Sequence, residues 1–170
     1  MLELAILGFL AEGPQHGYQL RQKVAGLSGH TRPVSDGSLY PAINRLAKAG
    51  LLERRAEPGA SAAQRYVLSL TEDGHDELLR RLREPADHDI TDSTRYFTIL
   101  AFLSLLPDVA ARNAVLRRRL EFLEQPASFF YDRDQPLRAG DMDDPYRRGM
   151  LVIARATSRA ERAWLHELLD

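Results

Sequence analysis

The sequence predicts a mainly α chain with a small β-wing, on three observations. Apolar residues recur at helical spacing through most of the 170 residues. The period shortens to that of strands only around residues 51–70. A Pro-containing acidic stretch, EPADHDITD (84–92), separates two helical regions.

Leu2, Ile6, Leu7, Phe9 and Leu10 predict a short amphipathic helix over 2–11, ended by Gly13-Pro14. Tyr18, Leu20, Val24 and Leu27 predict a second helix from about Gly17 to Leu27, and SGHTRP (28–33) reads as a connector. Ser35 or Ser38 can cap a third helix ended near Gly50; Pro41 sits in its first turn if Ser38 caps and kinks it slightly if Ser35 does. LLERRAE, the turn-rich PGASAA and QRYVLSL then predict a β-hairpin with a loose tip. Thr71-Glu72-Asp73 caps a fourth helix through about Arg83, with acids in its first turn and arginines in its last. Helix, helix, helix, strand, wing, strand, helix is the order of a winged helix-turn-helix.

Past the acidic stretch, Ser93 to Leu106 predicts a helix broken by Pro107. Asp108 caps another to about Gln125, residues 126–145 read as mostly loop with one short helical turn, and a last helix runs from about Pro145 to Leu169. The expected division is therefore a winged helix-turn-helix DNA-binding domain at 1–84 and an α-helical dimerisation domain at 93–170, the latter a candidate for effector binding.

Cysteine is absent, which excludes disulfides and thiolate metal sites. The apolar run Leu4–Ala11 is too short to span a bilayer and lacks a basic leader, so a cytoplasmic protein is expected. The net charge of −1 conceals a local imbalance. Residues 15–65 hold eight bases and three acids, giving +5, whereas residues 71–92 hold eight acids and three arginines, giving −5. Only two of the 23 basic residues are lysine, so the local excess means more than arginine abundance itself.

Leu39, Ile43 and Leu46 fall on one side of the third helix, at i, i+4 and i+7. The other side carries Ser38, Tyr40, Pro41, Asn44, Arg45 and Lys48. Asn can pair with adenine and Arg with guanine through two hydrogen bonds, while Ser, Tyr and Lys reach phosphates. Tyr18 and Gln19 open the second helix, where N–H groups and a hydroxyl can hold a phosphate. Arg65 on the returning strand can reach another, whereas Tyr66 beside it is expected to pack.

The runs GFLAEGPQHGYQL, VSDGSLYPAINRLAKAGLLE and RYVLSLTEDG resemble the PadR family of transcriptional regulators. The similarity covers about the first 80 residues, and SLYPAINRL is its most specific stretch, departing from the family pattern at Ile43 and Ala47. More loosely, the C-terminal part resembles the all-helical domain of longer members, including the Trp164-Leu165 pair. The resemblance implies a homodimer built through C-terminal helices, binding an inverted repeat in double-stranded promoter DNA. It further implies repression, often relieved by a small molecule, and places Tyr18, Ser38, Tyr40, Pro41, Asn44 and Arg45 at or near the DNA. The wing tip PGASAA has no base where many relatives carry one, which shifts the expected contact energy to the third helix.

A single such helix reads only a few base pairs, so a two-fold dimer is expected on selectivity grounds as well. Leu151, Ile153, Trp164, Leu165 and Leu168 of the last helix are its expected seam. Phe97, Phe102, Phe129, Phe130, Tyr131 and Trp164 are candidates for lining a cavity for a small aromatic effector. The five histidines lack ligand spacing, the DMDD stretch lacks the glycine and glutamate of a calcium loop, and no phosphate-binding or nucleophile motif occurs. Neither an enzyme nor a cofactor is expected. The competing reading is a winged-helix module that docks proteins without specific DNA binding.

Overall fold

The computed structural model describes residues 1–27, 35–57 and 65–170, with residue 65 described through its backbone alone. The expected connector at 28–33 and the wing tip at 58–63 lie outside the described residues. In order, the elements are α1 (Leu2–Ala11), β1 (Gln15–His16), α2 (Gly17–Leu27), α3 (Asp36–Lys48), β2 (Leu52–Glu57), β3 (Arg65–Leu70), α4 (Glu72–Arg83), α5 (Asp87–Thr91), α6 (Ser93–Phe102), α7 (Val109–Glu124), β4 (Tyr131–Asp132), β5 (Gln135–Pro136) and α8 (Pro145–Leu169). The chain forms two compact units, Met1–Arg112 and Asn113–Asp170.

In the first unit α1 is the hub. It packs against α2, α3, α4, α6 and β3, and Leu4, Ala5, Ile6, Leu7, Gly8 and Leu10 are all buried. The expected amphipathic stripe is corrected here: with neighbours on so many sides, the helix is apolar nearly all round. Gly8 permits the approach of α6, because a Cβ there would lie 2.5 Å from the Phe102 ring. Beside it, Phe9 meets Phe102 edge-on with centroids 5.0 Å apart.

The sheet is antiparallel in the order β1-β3-β2. The hairpin β2–β3 pairs Leu52 with Leu70 and Arg54 with Leu68, and two-residue β1, unforeseen in the sequence, pairs Gln15 with Leu68 on the other edge. Ser35 is the N-cap of α3, so Pro41 falls inside the helix. Gly50, just past the end of α3, has φ +75°, the left-handed geometry that turns the chain into β2. The Thr71 hydroxyl accepts from the Gly74 N–H at 3.0 Å, capping α4. Gly74 must lack a Cβ, which would fall 1.9 Å from the Leu51 carbonyl oxygen.

The acidic stretch contains the short helix α5 with Ile90 buried, and it belongs to the first compact unit. α6 ends at Phe102 rather than Leu106, and a 3-10 turn covers Leu103–Leu105. In the second unit, the expected loop 126–145 holds the hairpin β4–β5 and a 3-10 turn at Ala139–Asp141. Arg133 and Asp134 close that hairpin with φ of 45° and 68°. The Asp144 carboxylate caps α8 by accepting from the Tyr146 N–H at 2.8 Å.

α8 joins α7 through two ion pairs. Arg119, 1% exposed, makes a two-pronged contact with Glu161 at 2.7 and 3.0 Å, and His166 meets Glu124 at 3.1 Å. Partners follow the same order along both helices, so this portion of α7 runs in the same direction as α8. A parallel pair needs a long return, which residues 125–144 supply.

Candidate nucleic-acid interface

α3 separates its two sides cleanly. Leu39, Ala42, Ile43 and Leu46 are buried. Ser38, Tyr40, Pro41, Asn44, Arg45 and Lys48 are all exposed on the outer side, as the helical spacing predicts. Ser38 donates its hydroxyl proton to the Ser35 carbonyl at 2.9 Å, so towards a ligand it is chiefly an acceptor. Lys48 is exposed, with no ion-pair partner among the described residues.

On the flank of α3 that faces the sheet lies an open groove of about 480 Å³. Its walls come from the start of α2 (Gly17, Tyr18), from α3 (Tyr40, Asn44) and from the sheet (His16, Arg54, Tyr66, Leu68). Tyr18, 58% exposed, stacks on the His16 ring with centroids 5.8 Å apart. Gln19 accepts from the His16 N–H at 2.9 Å, so its oxygen serves the start of α2. Arg54 donates to the Asn44 side-chain oxygen. Because a guanidinium can only donate, this contact fixes the carboxamide with its oxygen towards Arg54 and its NH₂ towards solvent. Asn44 therefore presents two donors to a base or phosphate, and one oxygen lone pair is already committed.

Arg54 and Tyr66 escaped the sequence reading as groove residues. The signal was the two-residue period of the hairpin: Arg54 shares the face of Leu52, and Tyr66 that of Leu68. Tyr66 is 43% exposed and lines the groove rather than filling the core. The side chain of Arg65 lies outside the described residues; its backbone pairs with Glu57.

The other flank of α3 faces α1. Arg45 donates through Nε to Glu3 at 3.0 Å, and Glu3 also accepts from Arg81 of α4 at 3.4 Å. Arg81 in turn donates to Glu77 at 2.6 Å, as does Arg80 at 2.7 Å. Hydrogen bonds from Arg80 and Arg81 outweigh the desolvation of Glu77 and hold its carboxyl down to about 2.

On α8, Leu151 and Leu165 are buried within the single chain, while Ile153, Trp164 and Leu168 are exposed. The candidate effector aromatics differ in burial. Phe102 is core, Phe97, Phe129, Tyr131 and Trp164 are exposed, and the Phe130 ring lies 5.3 Å from the Arg147 guanidinium. None of the six is among the residues that line the groove beside α3. No described helix is long and apolar enough to cross a membrane.

Residues 6–80 match the model of the Transcriptional regulator PadR-like family. Among curated proteins, none matches. Solved structures offer fainter likenesses. A transcriptional regulator from Clostridium thermocellum is 23% identical over 46% of this chain and 76% of its own, with a TM-score of 0.42. Bacillus subtilis PadR in complex with operator DNA is 19% identical over 100% of this chain and 98% of its own, with a TM-score of 0.47. A protein from Streptococcus mutans UA159 is 17% identical over 98% and 97%, with a TM-score of 0.46. The winged helix-turn-helix order falls on the same residues as the family match: the N-terminal part of this chain, residues 6–80, carries a domain that matches the PadR-like family of transcriptional regulators.

Proposed function

We propose that the chain is a sequence-specific DNA-binding regulator that lays α3 in the major groove and acts as a homodimeric repressor on an inverted repeat. The observation that carries this reading is the convergence of donors from three elements on one surface. Tyr40 and Asn44 of α3, Tyr18 of α2 and Arg54 of β2 line one groove, and Arg45 and Lys48 are exposed further along the outer side of α3. A helix of this kind fits the major groove, and hydroxyls and ammonium groups beside it fit phosphates.

The dimer part of the proposal rests on α8. Tyr146, Met150, Ile153, Thr157, Ala160 and Trp164 follow one another at alternating spacings of four and three, and all are exposed. This is the spacing of a coiled-coil seam. A second copy would cover it, and the half-sites read by a two-fold dimer lie about one turn of DNA apart, ~34–36 Å, or a multiple of it. Of the expected seam residues, Ile153, Trp164 and Leu168 are exposed on the single chain, and this reading adds Tyr146 and Met150 to them. Repression, and release by a small aromatic molecule, are what the family likeness adds.

Mobility shifts on duplex DNA from upstream of the gene, run across a salt series, test the reading. Binding should weaken log-linearly with salt, by about 0.9 in slope per phosphate contact. Arg45→Ala should relax sequence preference, while Lys48→Ala weakens binding evenly across sequences. No specific shift at any low-salt condition would favour the protein-docking module instead.

A further inference from the structure

The surface of α3 includes one cation that is not free to move. Arg45 is well exposed, 64% for its side chain, yet its Nε is held 3.0 Å from a Glu3 oxygen. Among the described residues nothing else pairs with its guanidinium, so the two Nη groups are left for a ligand. Glu3 is far less exposed, 28%, and is fixed from behind: it stands on the buried hub helix α1, and its second oxygen accepts from Arg81. Arg81 is itself tied to Glu77. The carboxylate is thus a rigid post beside a long, otherwise mobile side chain.

An ion pair this exposed contributes little to stability. Its consequence falls on whatever approaches α3. An adjacent negative charge weakens the pull of Arg45 on any phosphate, whichever sequence carries it. At the same time, fixing Nε orients the guanidinium plane before binding, which lowers the entropy lost when its fork meets a base edge.

We infer that Glu3 is a positioning residue for sequence specificity, restraining Arg45 from indiscriminate phosphate contact and presenting its fork to the base edges. The inference rests on the reading of α3 as the DNA-contacting helix.

The full-length chain would be titrated by fluorescence anisotropy against two duplexes of equal length, one selected from genomic DNA by binding and one of random sequence. Wild type, Glu3→Gln, Arg81→Gln, Arg45→Ala and the Glu3→Gln/Arg45→Ala double variant would each be measured across a salt series, with thermal melts to establish folding. Glu3→Gln removes the charge with little change in shape. It should tighten binding to the random duplex roughly 3- to 10-fold and steepen the salt slope by about one contact. Preference for the selected duplex should fall about tenfold, within the worth of one base contact. Arg81→Gln, which frees the post while keeping its charge, should lower the preference without tightening random binding as much. In the Arg45→Ala background, Glu3→Gln should change neither affinity nor preference.

Specific, salt-dependent binding by the wild type together with a preference unchanged in both Glu3→Gln and Arg81→Gln would overturn the inference alone. So would a Glu3→Gln effect that persists without Arg45. A wild type that binds neither duplex would overturn the DNA-binding reading, and the inference with it.

Discussion

The helices α1 and α8 differ in composition and in burial: α1 carries one charged residue, Glu3, whereas α8 carries five arginines and two glutamates. Six of the ten residues of α1 are buried, among them Ile6 and Leu7 with no exposure at all. Across the 25 residues of α8, only Leu151 and Leu165 are buried. The short helix is held by apolar packing on nearly every side. The long one joins α7 through a buried Arg119–Glu161 pair and an exposed His166–Glu124 pair, and leaves Tyr146, Met150, Ile153 and Trp164 exposed. The enclosed helix serves the stability of its own chain; the exposed row on α8 is what the proposed second copy would cover.

Substitutions that trade the roles of these helices sharpen the contrast. Arg119→Ala would leave the Glu161 carboxylate partly buried and unpaired, at a cost of about 3–5 kcal/mol to the second unit; loss of the α8 signal before the rest of the chain in a denaturant titration would show it. Leu7→Ala in α1 should cost ~2–5 kcal/mol and unfold the first unit at correspondingly lower denaturant. Ile153→Ala on α8 should change the stability of an isolated chain by no more than about 0.5 kcal/mol. Ile153→Glu should instead convert the assembly to monomers in sedimentation equilibrium; a mass unchanged from the wild type would break the comparison. Gly8→Ala should cost ~1–3 kcal/mol, because the added methyl meets the Phe102 ring.

The smallest effect concerns acid. The Glu77 carboxyl lies well below its ordinary 4.5, at about 2, so it contributes stability above pH 4.5 that is lost progressively as pH falls from 4.5 towards 2. Thermal melts through that window should show a drop in the wild type that is reduced in Glu77→Gln.

Much of α3 was legible because an isolated helical period fixes which side chains face together: once Leu39, Ile43 and Leu46 point inwards, Asn44, Arg45 and Lys48 have no choice but to point out. α8 was legible in extent but not in orientation. Its apolar residues lie on two neighbouring stripes, and spacing alone does not say which one the chain itself covers. Leu151 and Leu165 proved to be inside, and Ile153 and Trp164 outside. The hairpin β4–β5 was missed because its turn uses Arg133 and Asp134 in left-handed geometry, without the glycine that usually signals it.

The sequence by itself determined the order of the N-terminal helices and the β2–β3 hairpin, the caps at Thr71 and Asp108, and the polar composition of the outer side of α3. These depend on local periodicity and on hydrogen bonds between near neighbours along the chain. Only the tertiary structure decided that Glu3 meets Arg45 across 42 residues, that Arg54 orients Asn44, and that Arg119 is buried against Glu161. Those contacts join residues from separate helices and strands, and no spacing along a single element encodes them.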